Sequence, residues 1–359
     1  METEKPHAES CPDPVPQSDS SVQRERAAWL ASDVDPLYSE VAERLLERFQ
    51  VSHTSWDCNT STPSDVESRP GAQDVARDFP RVLVLGGALD AVARHLFKSA
   101  RGVQAVTFAD TSPGQLAAAA KQVPSDAKAK CTFTQLQHDE QLPFQHGSFD
   151  AVIACLGLHW RNDLPGVLLQ SRKCLVPDGL LLAALMGGNS LQELRVACAL
   201  AEQERQGGLS ARVSPLAQVR DAGNLLGRAG LALPAVDVDT ITARYASPVD
   251  AVTHLRVLGE TNACITRKQG PLPRDTALAA AAAMIAYSGK NDGPRDGDDE
   301  GDVIQQPQSP SEVCLTWQVV YMAGWAPDTS QPSAKKRGSA TASFSDLAAQ
   351  LGTLPDKGS

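Results

Sequence analysis

The sequence predicts an α/β protein built on a doubly wound, mainly parallel sheet. Short apolar runs recur through the middle of the chain, helically spaced stretches separate them, and Gly or Asp ends the first two runs. A strand buried on both faces reads as a continuous apolar run, and a parallel neighbour needs a crossover, usually a helix. The alternation therefore specifies a sheet with helices on both sides.

Taken in order, Leu37, Val41, Leu45 and Phe49 recur every four positions after Pro36, which reads as one amphipathic helix with Pro in its first turn. Residues 82–85 form the first strand-like run, ended by Gly86-Gly87 and followed by a helical pattern over 88–100. Residues 105–108 form the second, ending at Asp110, with a helix over 114–122 after it. Further strands are expected at 132–134, 149–156 and 180–186, with a helix at 164–174. Past Met186 the pattern turns helical. Ser190-Leu191-Gln192-Glu193 reads as a capping box opening a helix to about Arg205. Ser214-Pro215 reads as an N-cap with Pro at the first helical position, of a helix ending at Gly230. Residues 275–286 are Ala-rich and helical, and 316–321 alternate β-branched and aromatic residues as a late strand.

These elements divide the chain into a polar, acidic, Pro- and Ser-rich disordered tail over 1–23, an N-terminal helix and polar loop over 24–75, and a nucleotide-binding core over 76–186. A C-terminal helical region with final strands follows over 187–345, carrying an acidic insertion at 289–311 expected to be disordered, and residues 346–359 form a tail.

Composition removes several functions. The net charge is -10 and no block of Lys and Arg could neutralise a row of phosphates, so nucleic acid is excluded as a partner. The longest apolar stretches fall far short of the roughly 20 residues that cross a bilayer, so no transmembrane segment is expected. Peripheral contact with a membrane complex is compatible with that. The 8 cysteines form no C-x-x-C pair, and the 7 histidines form no H-x-x-x-H, so no protein-built metal site is expected and a reduced compartment fits.

Ligands of a doubly wound sheet bind outside the carboxyl ends of its strands. The first strand ends at Gly86-Gly87, a turn that lets backbone approach a ligand. The second ends at Asp110, 24 residues after Gly86, where a carboxylate can accept both hydroxyls of a ribose, with Thr111 beside it. The third ends at His138-Asp139, placed for an adenine edge, and the fourth at Leu158-His159-Trp160, facing the reacting end of a cofactor. The alternatives are a plain Gly turn, a helix cap at Asp110, a structural His159 and a packing Trp160. All four lie at one edge of the expected sheet.

The stretches Asp139 to Phe144, Phe149-Asp150 and Leu158 to Pro165 resemble class I S-adenosylmethionine methyltransferases of the kind that includes the malonyl-carrier-protein methyltransferase. Stretches outside that fold narrow the resemblance. They begin at Gly187-Gly188-Asn189, Ala201-Glu202-Gln203, Leu225-Leu226-Gly227, Gly259-Glu260-Thr261 and Arg337-Gly338-Ser339. Together they resemble the mitochondrial complex I assembly factor 5 family of arginine hydroxylases. The resemblance implies a methyltransferase fold, S-adenosylmethionine as cofactor, and a place on the matrix side of the inner membrane. It implies action on an arginine of the PSST-type iron-sulfur subunit, with complex I assembly intermediates as partners. The acidic start of the chain lacks the Arg-rich, amphipathic pattern of a mitochondrial presequence.

In that frame the cofactor-binding candidates are Gly86, Gly87, Asp110, Thr111, His138, Asp139 and Leu158. His159 is the first catalytic candidate; Glu204 could orient a peptide and Glu260 could pair with a guanidinium. A solvated helix face is the plain account of Glu202, Glu204 and Arg205. Departures from the family's glycine loop stand at Val84, in place of an acid, and at Ala88 and Asp90, in place of glycines, while His138 replaces an adenine-contacting acid. The competing functions are an ordinary S-adenosylmethionine methyltransferase and a catalytically silent assembly scaffold.

Overall fold

The computed structural model describes residues 34–51, 78–99, 102–264, 270, 272–288 and 311–331. The expected tails at 1–23 and 346–359, the polar loop at 52–74, nearly all of the acidic insertion and the Arg337 stretch lie outside the described residues. The chain divides into a unit reaching Pro327 and a second, Asp328–Ser359, of which residues 328–331 are described.

Seven strands form one sheet: β1 (Arg81–Gly87), β2 (Ala105–Asp110), β3 (Cys131–Gln135), β4 (Phe149–Cys155), β5 (Leu175–Met186), β6 (Ala232–Tyr245) and β7 (Val313–Trp325). Their order is β3-β2-β1-β4-β5-β7-β6. The first five strands pair in parallel, and β7 runs antiparallel between β5 and β6. From β1 the chain steps outward to β2 and β3, then returns to place β4 on the other side of β1. That reversal opens a crevice outside the carboxyl ends of β1 and β4, where a ligand site belongs.

Helices α1 (Pro36–Val51), α2 (Leu89–Ser99), α3 (Pro113–Gln122), α4 (Leu164–Cys174), α5 (Gln192–Gln206), α6 (Val219–Arg228), α7 (Pro248–Leu258) and α8 (Arg274–Ser288) complete the fold. Successive strand residues feed two cores, as a side-chain period of two requires. Val82 and Val84 join Leu45, Phe49, Ile153, Leu182 and Trp317 on one face of the sheet. Leu83 and Leu85 join Val152, Leu168, Leu181, Leu226 and Met322 on the other. Each such fully buried side chain contributes roughly 1.5–3 kcal/mol by leaving water. The four-residue spacing of Leu37, Val41, Leu45 and Phe49 is thus the stripe that seats α1 in the first core. His254 holds α1 to the late part of the chain: its Nε2 lies 2.7 Å from Asp35 Oδ2, and its Nδ1 lies 2.7 Å from the Tyr245 hydroxyl on β6.

Three expectations past Met186 are corrected. The first concerns the capping box. Leu191, with φ +56°, stands at the N-cap of α5. Ser190 Oγ instead donates to Gln318 O and accepts from Gln318 N, while the Glu193 carboxylate accepts from Thr316 N at 3.0 Å and from Thr316 Oγ1. Strand β7 offers the Ser and Glu longer-range partners, so residues that could cap a helix fasten a strand. The second concerns Ser214, which begins no helix. Its hydroxyl donates to Asn262 Oδ1 and accepts from Ala263 N, and α6 starts at Val219, although Gly230 does follow its end with φ +75°. Third, the turn to a helical pattern past Met186 is incomplete: β6, over which the pattern assigned no element, is a 14-residue strand pairing along most of its length with β7.

Candidate functional site

The crevice is built from loops that touch backbone to backbone. Gly86 and Gly87 have φ of +46° and +74°, a left-handed turn that a side chain would strain. A Cβ on Gly87 would strike Cys155 O and lie 2.5 Å from Gly157 N, so the β1 turn rests directly on the end of β4. The Ala88 amide donates to Cys155 O at 2.9 Å, which commits that N–H to the fold rather than to a ligand. Leu156, buried with φ +53°, turns the chain at the end of β4 into the short 3₁₀ turn Leu158–Trp160.

Asp110 is fully buried at the end of β2, and its Oδ1 accepts from Ser112 N at 2.7 Å, fixing the start of α3. Strand β3 stops at Gln135, three residues short of His138, whose side chain faces solvent. Asp139 points back into the crevice: its Oδ1 accepts from Thr111 Oγ1 at 2.9 Å and from Arg161 Nη1 at 2.6 Å. Arg161 Nη1 also donates to Asp139 O, and the Arg161 side chain is 2% exposed. A Cβ built on Gly86 would lie 2.9 Å from Arg161 Nη2 and 3.4 Å from Asp110 Oδ2. The guanidinium therefore stands among Gly86, Asp110 and Asp139. The residues that would take a nucleoside are assembled, and the Arg161 guanidinium stands among them.

A second cluster adjoins the first through the same turn. His159 Nε2 lies 3.1 Å from Glu260 Oε1 and 3.3 Å from Oε2. Glu260 Oε1 also accepts from the Tyr38 hydroxyl at 3.0 Å and from Trp160 Nε1 at 3.4 Å. The His159 and Glu260 side chains are 1% and 6% exposed. A carboxylate accepts, so His159 donates from Nε2, and in the neutral ring the lone pair then sits on Nδ1. That Nδ1 is buried and has no hydrogen-bond partner among the described residues. Burial first, then the negative charge of Glu260, pushes the Tyr38 phenol well above its ordinary value, so Tyr38 stays a donor. The arrangement joins a buried carboxylate able to take a cationic group with an imidazole whose Nδ1 has no hydrogen-bond partner among the described residues.

Of the expected site residues, the structure brings together Gly86, Gly87, Asp110, Thr111, Asp139, Leu158, His159 and Glu260 around the ends of β1, β2 and β4. It does not bring Glu204, which lies on the solvent face of α5, 65% exposed and 3.4 Å from Arg205. Its neighbour Glu202 is buried and accepts from Arg212 Nε at 2.6 Å, which departs from the plain account of a solvated face. Tyr38 and Arg161 received no role from the sequence. Opposite charges at Asp139 and Arg161, each just past a strand, were the available signal for one; nothing local marks Tyr38, whose partner is 222 residues away. Among the described residues, no group of three or more His, Cys, Asp or Glu side chains could hold a metal ion.

Comparison with known proteins agrees with the fold. A methyltransferase-domain family model matches residues 83–183, which spans β1 to β5. The protein named "Arginine-hydroxylase NDUFAF5, mitochondrial" from Danio rerio is 35% identical over 341 residues, 94% of this chain and 90% of its own. The protein of the same name from Homo sapiens is 33% identical over 334 residues, 92% of this chain and 82% of its own. A malonyl-[acyl-carrier protein] O-methyltransferase from Halorhodospira halophila is 29% identical over 294 residues, 82% of each chain.

Proposed function

The chain belongs to the NDUFAF5 arginine-hydroxylase family, and from that premise we propose that it is a mitochondrial arginine hydroxylase serving complex I assembly. Its substrate in this reading is an arginine of the PSST-type iron-sulfur subunit, met on the matrix side of the inner membrane. No helix among the described residues is long and apolar enough to cross a membrane, which is compatible with peripheral contact there.

The observation that carries the reading is the buried Glu260 carboxylate collared by Tyr38, His159 and Trp160 at the open end of β4. A guanidinium is planar and donates in a fork that a carboxylate accepts in two places, so Glu260 is the group here that suits an arginine side chain. His159 Nδ1, buried and without a hydrogen-bond partner among the described residues, stands beside it. S-adenosylmethionine is the cofactor that the fold implies, with Asp110 for its ribose and Asp139 toward its adenine. Arg161 stands in that place.

Mass spectrometry of the PSST-type subunit tests the proposal, in cells lacking this protein and rescued with the natural chain or with Glu260→Gln. The modified arginine is expected only with the natural chain. An arginine of unchanged mass in every case would remove the hydroxylase reading. A second reading, a silent assembly scaffold, is favoured by Arg161 filling the crevice. It predicts restored complex I with no arginine modified.

A further inference from the structure

We propose that Arg161 is an internal plug of the nucleoside crevice, and that a nucleoside ligand enters only when this side chain leaves. The inference rests on the reading of the crevice as a nucleoside site and adds how that site is governed.

Four observations carry it. The Arg161 side chain is 2% exposed although it belongs to a turn at the rim of the sheet, so it points inward rather than snorkelling to water. Its Nη1 donates both to the Asp139 carboxylate, at 2.6 Å, and to the Asp139 carbonyl, which occupies the group best placed for an adenine. Its Nη2 lies 2.9 Å from where a Cβ on Gly86 would stand, and Asp110 Oδ2 lies 3.4 Å from the same point. Thr111 completes the enclosure by donating to the same Asp139 oxygen. The guanidinium thus bonds to the loop after β3 and stands near the β1 turn and the β2 carboxylate, the three elements that a nucleoside would have to touch.

The energetics suit a removable occupant. A charge-assisted pair is strong when formed, but Asp139 is 23% exposed on its side chain, so water can take over its hydrogen bonds when the arginine swings away. The apparent dissociation constant of a ligand is its intrinsic value divided by the open fraction. A plug in place nine-tenths of the time weakens apparent binding about tenfold.

The test is calorimetric titration of the full chain, as the natural protein, Arg161→Met and Arg161→Gln, with S-adenosylmethionine, S-adenosylhomocysteine and adenosine. Met keeps the aliphatic length without the charge or the donors. Gln is shorter and neutral and can still donate to Asp139, so a folding defect in one variant leaves the other to decide. We expect S-adenosylhomocysteine and adenosine, both without the sulfonium charge, to bind Arg161→Met at least about tenfold more tightly than the natural chain. Equal affinities, with only the thermal stability of the variants lowered, would make Arg161 a structural ion-pair partner and overturn the plug alone. A gain confined to S-adenosylmethionine would reflect removal of like charge and would also overturn it. Absence of binding to every chain at millimolar ligand would overturn the plug together with the nucleoside reading beneath it.

Discussion

His159 Nε2 lies 3.1 Å from Glu260 Oε1, joining the turn after β4 to the residue just past α7 across 101 positions of chain. Removal of that acceptor in Glu260→Ala leaves the hydrogen bonds of His159 and Trp160, and one from Tyr38, unmade in a buried place. Urea denaturation is expected to show a loss of about 2–4 kcal/mol. Glu260→Gln, which keeps an acceptor oxygen, is expected to lose clearly less stability while hydroxylation falls by at least about a hundredfold.

Tyr38 donates to both Leu258 O and Glu260 Oε1, and Tyr38→Phe is expected to cost about 1–2 kcal/mol. Its phenol is raised by burial and then by Glu260, so the folded state favours the neutral form. The resulting stability is complete below the ordinary tyrosine value of 10.0 and declines as pH rises beyond it. Burial also raises Tyr245 and Tyr321, so ultraviolet titration should show three tyrosines resisting ionisation above 10.0 in the natural chain and two in Tyr38→Phe.

The two glycines of the β1 turn should respond differently to a methyl group. Gly87→Ala drives a Cβ into the backbone of Cys155 and Gly157, and is expected to destabilise by more than about 3 kcal/mol or to prevent folding. Gly86→Ala meets the end of the Arg161 side chain, which can move, so its cost is expected near the 1–2 kcal/mol of a left-handed alanine. Thermal unfolding of the pair checks the ranking.

Glu202 Oε1 and Oε2 take hydrogen bonds from Ser210 N at 2.7 Å, Ser210 Oγ at 2.6 Å and Arg212 Nε at 2.6 Å. Burial alone would raise this carboxyl, but those donors outweigh it and hold the group below its ordinary value of 4.5. A depressed folded value stabilises above 4.5 and is lost as pH falls from there through the folded value. Glu202→Gln should therefore be less stable than the natural chain near neutrality, and the gap should narrow in acid. Denaturation midpoints measured across that range would contradict the assignment if the gap stayed constant.

The sheet core was legible because its signals are local. An apolar run closed by Gly86-Gly87 or Asp110 can be read in a window of a few residues, and α4 came out at its observed bounds for that reason. The errors lie where a local motif had a distant competitor. Ser190 and Glu193 carry the residue types of a cap but bind Gln318 and Thr316, more than 120 residues on. Strand β6 was masked differently. Its residues Val236 to Thr242 alternate, but all seven are exposed or intermediate and two, Asp237 and Asp239, are acidic, a weak signal beside the helical patterns around it. In the site, the ends of β1, β2 and β4 were readable from the topology rule, whereas the third strand ends at Gln135 and leaves His138 in solvent. The Tyr38 donor and the inward turn of Arg161 depend on tertiary approach and leave no mark in spacing.

Strand β7 occupies an interior lane of the sheet although it is among the last described segments of the chain. A ribosome or an import channel delivering the N-terminal end first must therefore hand over β5 and β6 before either has its shared neighbour. Until residue 325 emerges, the edge at Leu180 to Met186 stays open, apolar and able to recruit another chain. Maturation of this protein is accordingly a matter of timing, and a premature stop anywhere upstream of β7 exposes a sticky edge rather than yielding a smaller working domain.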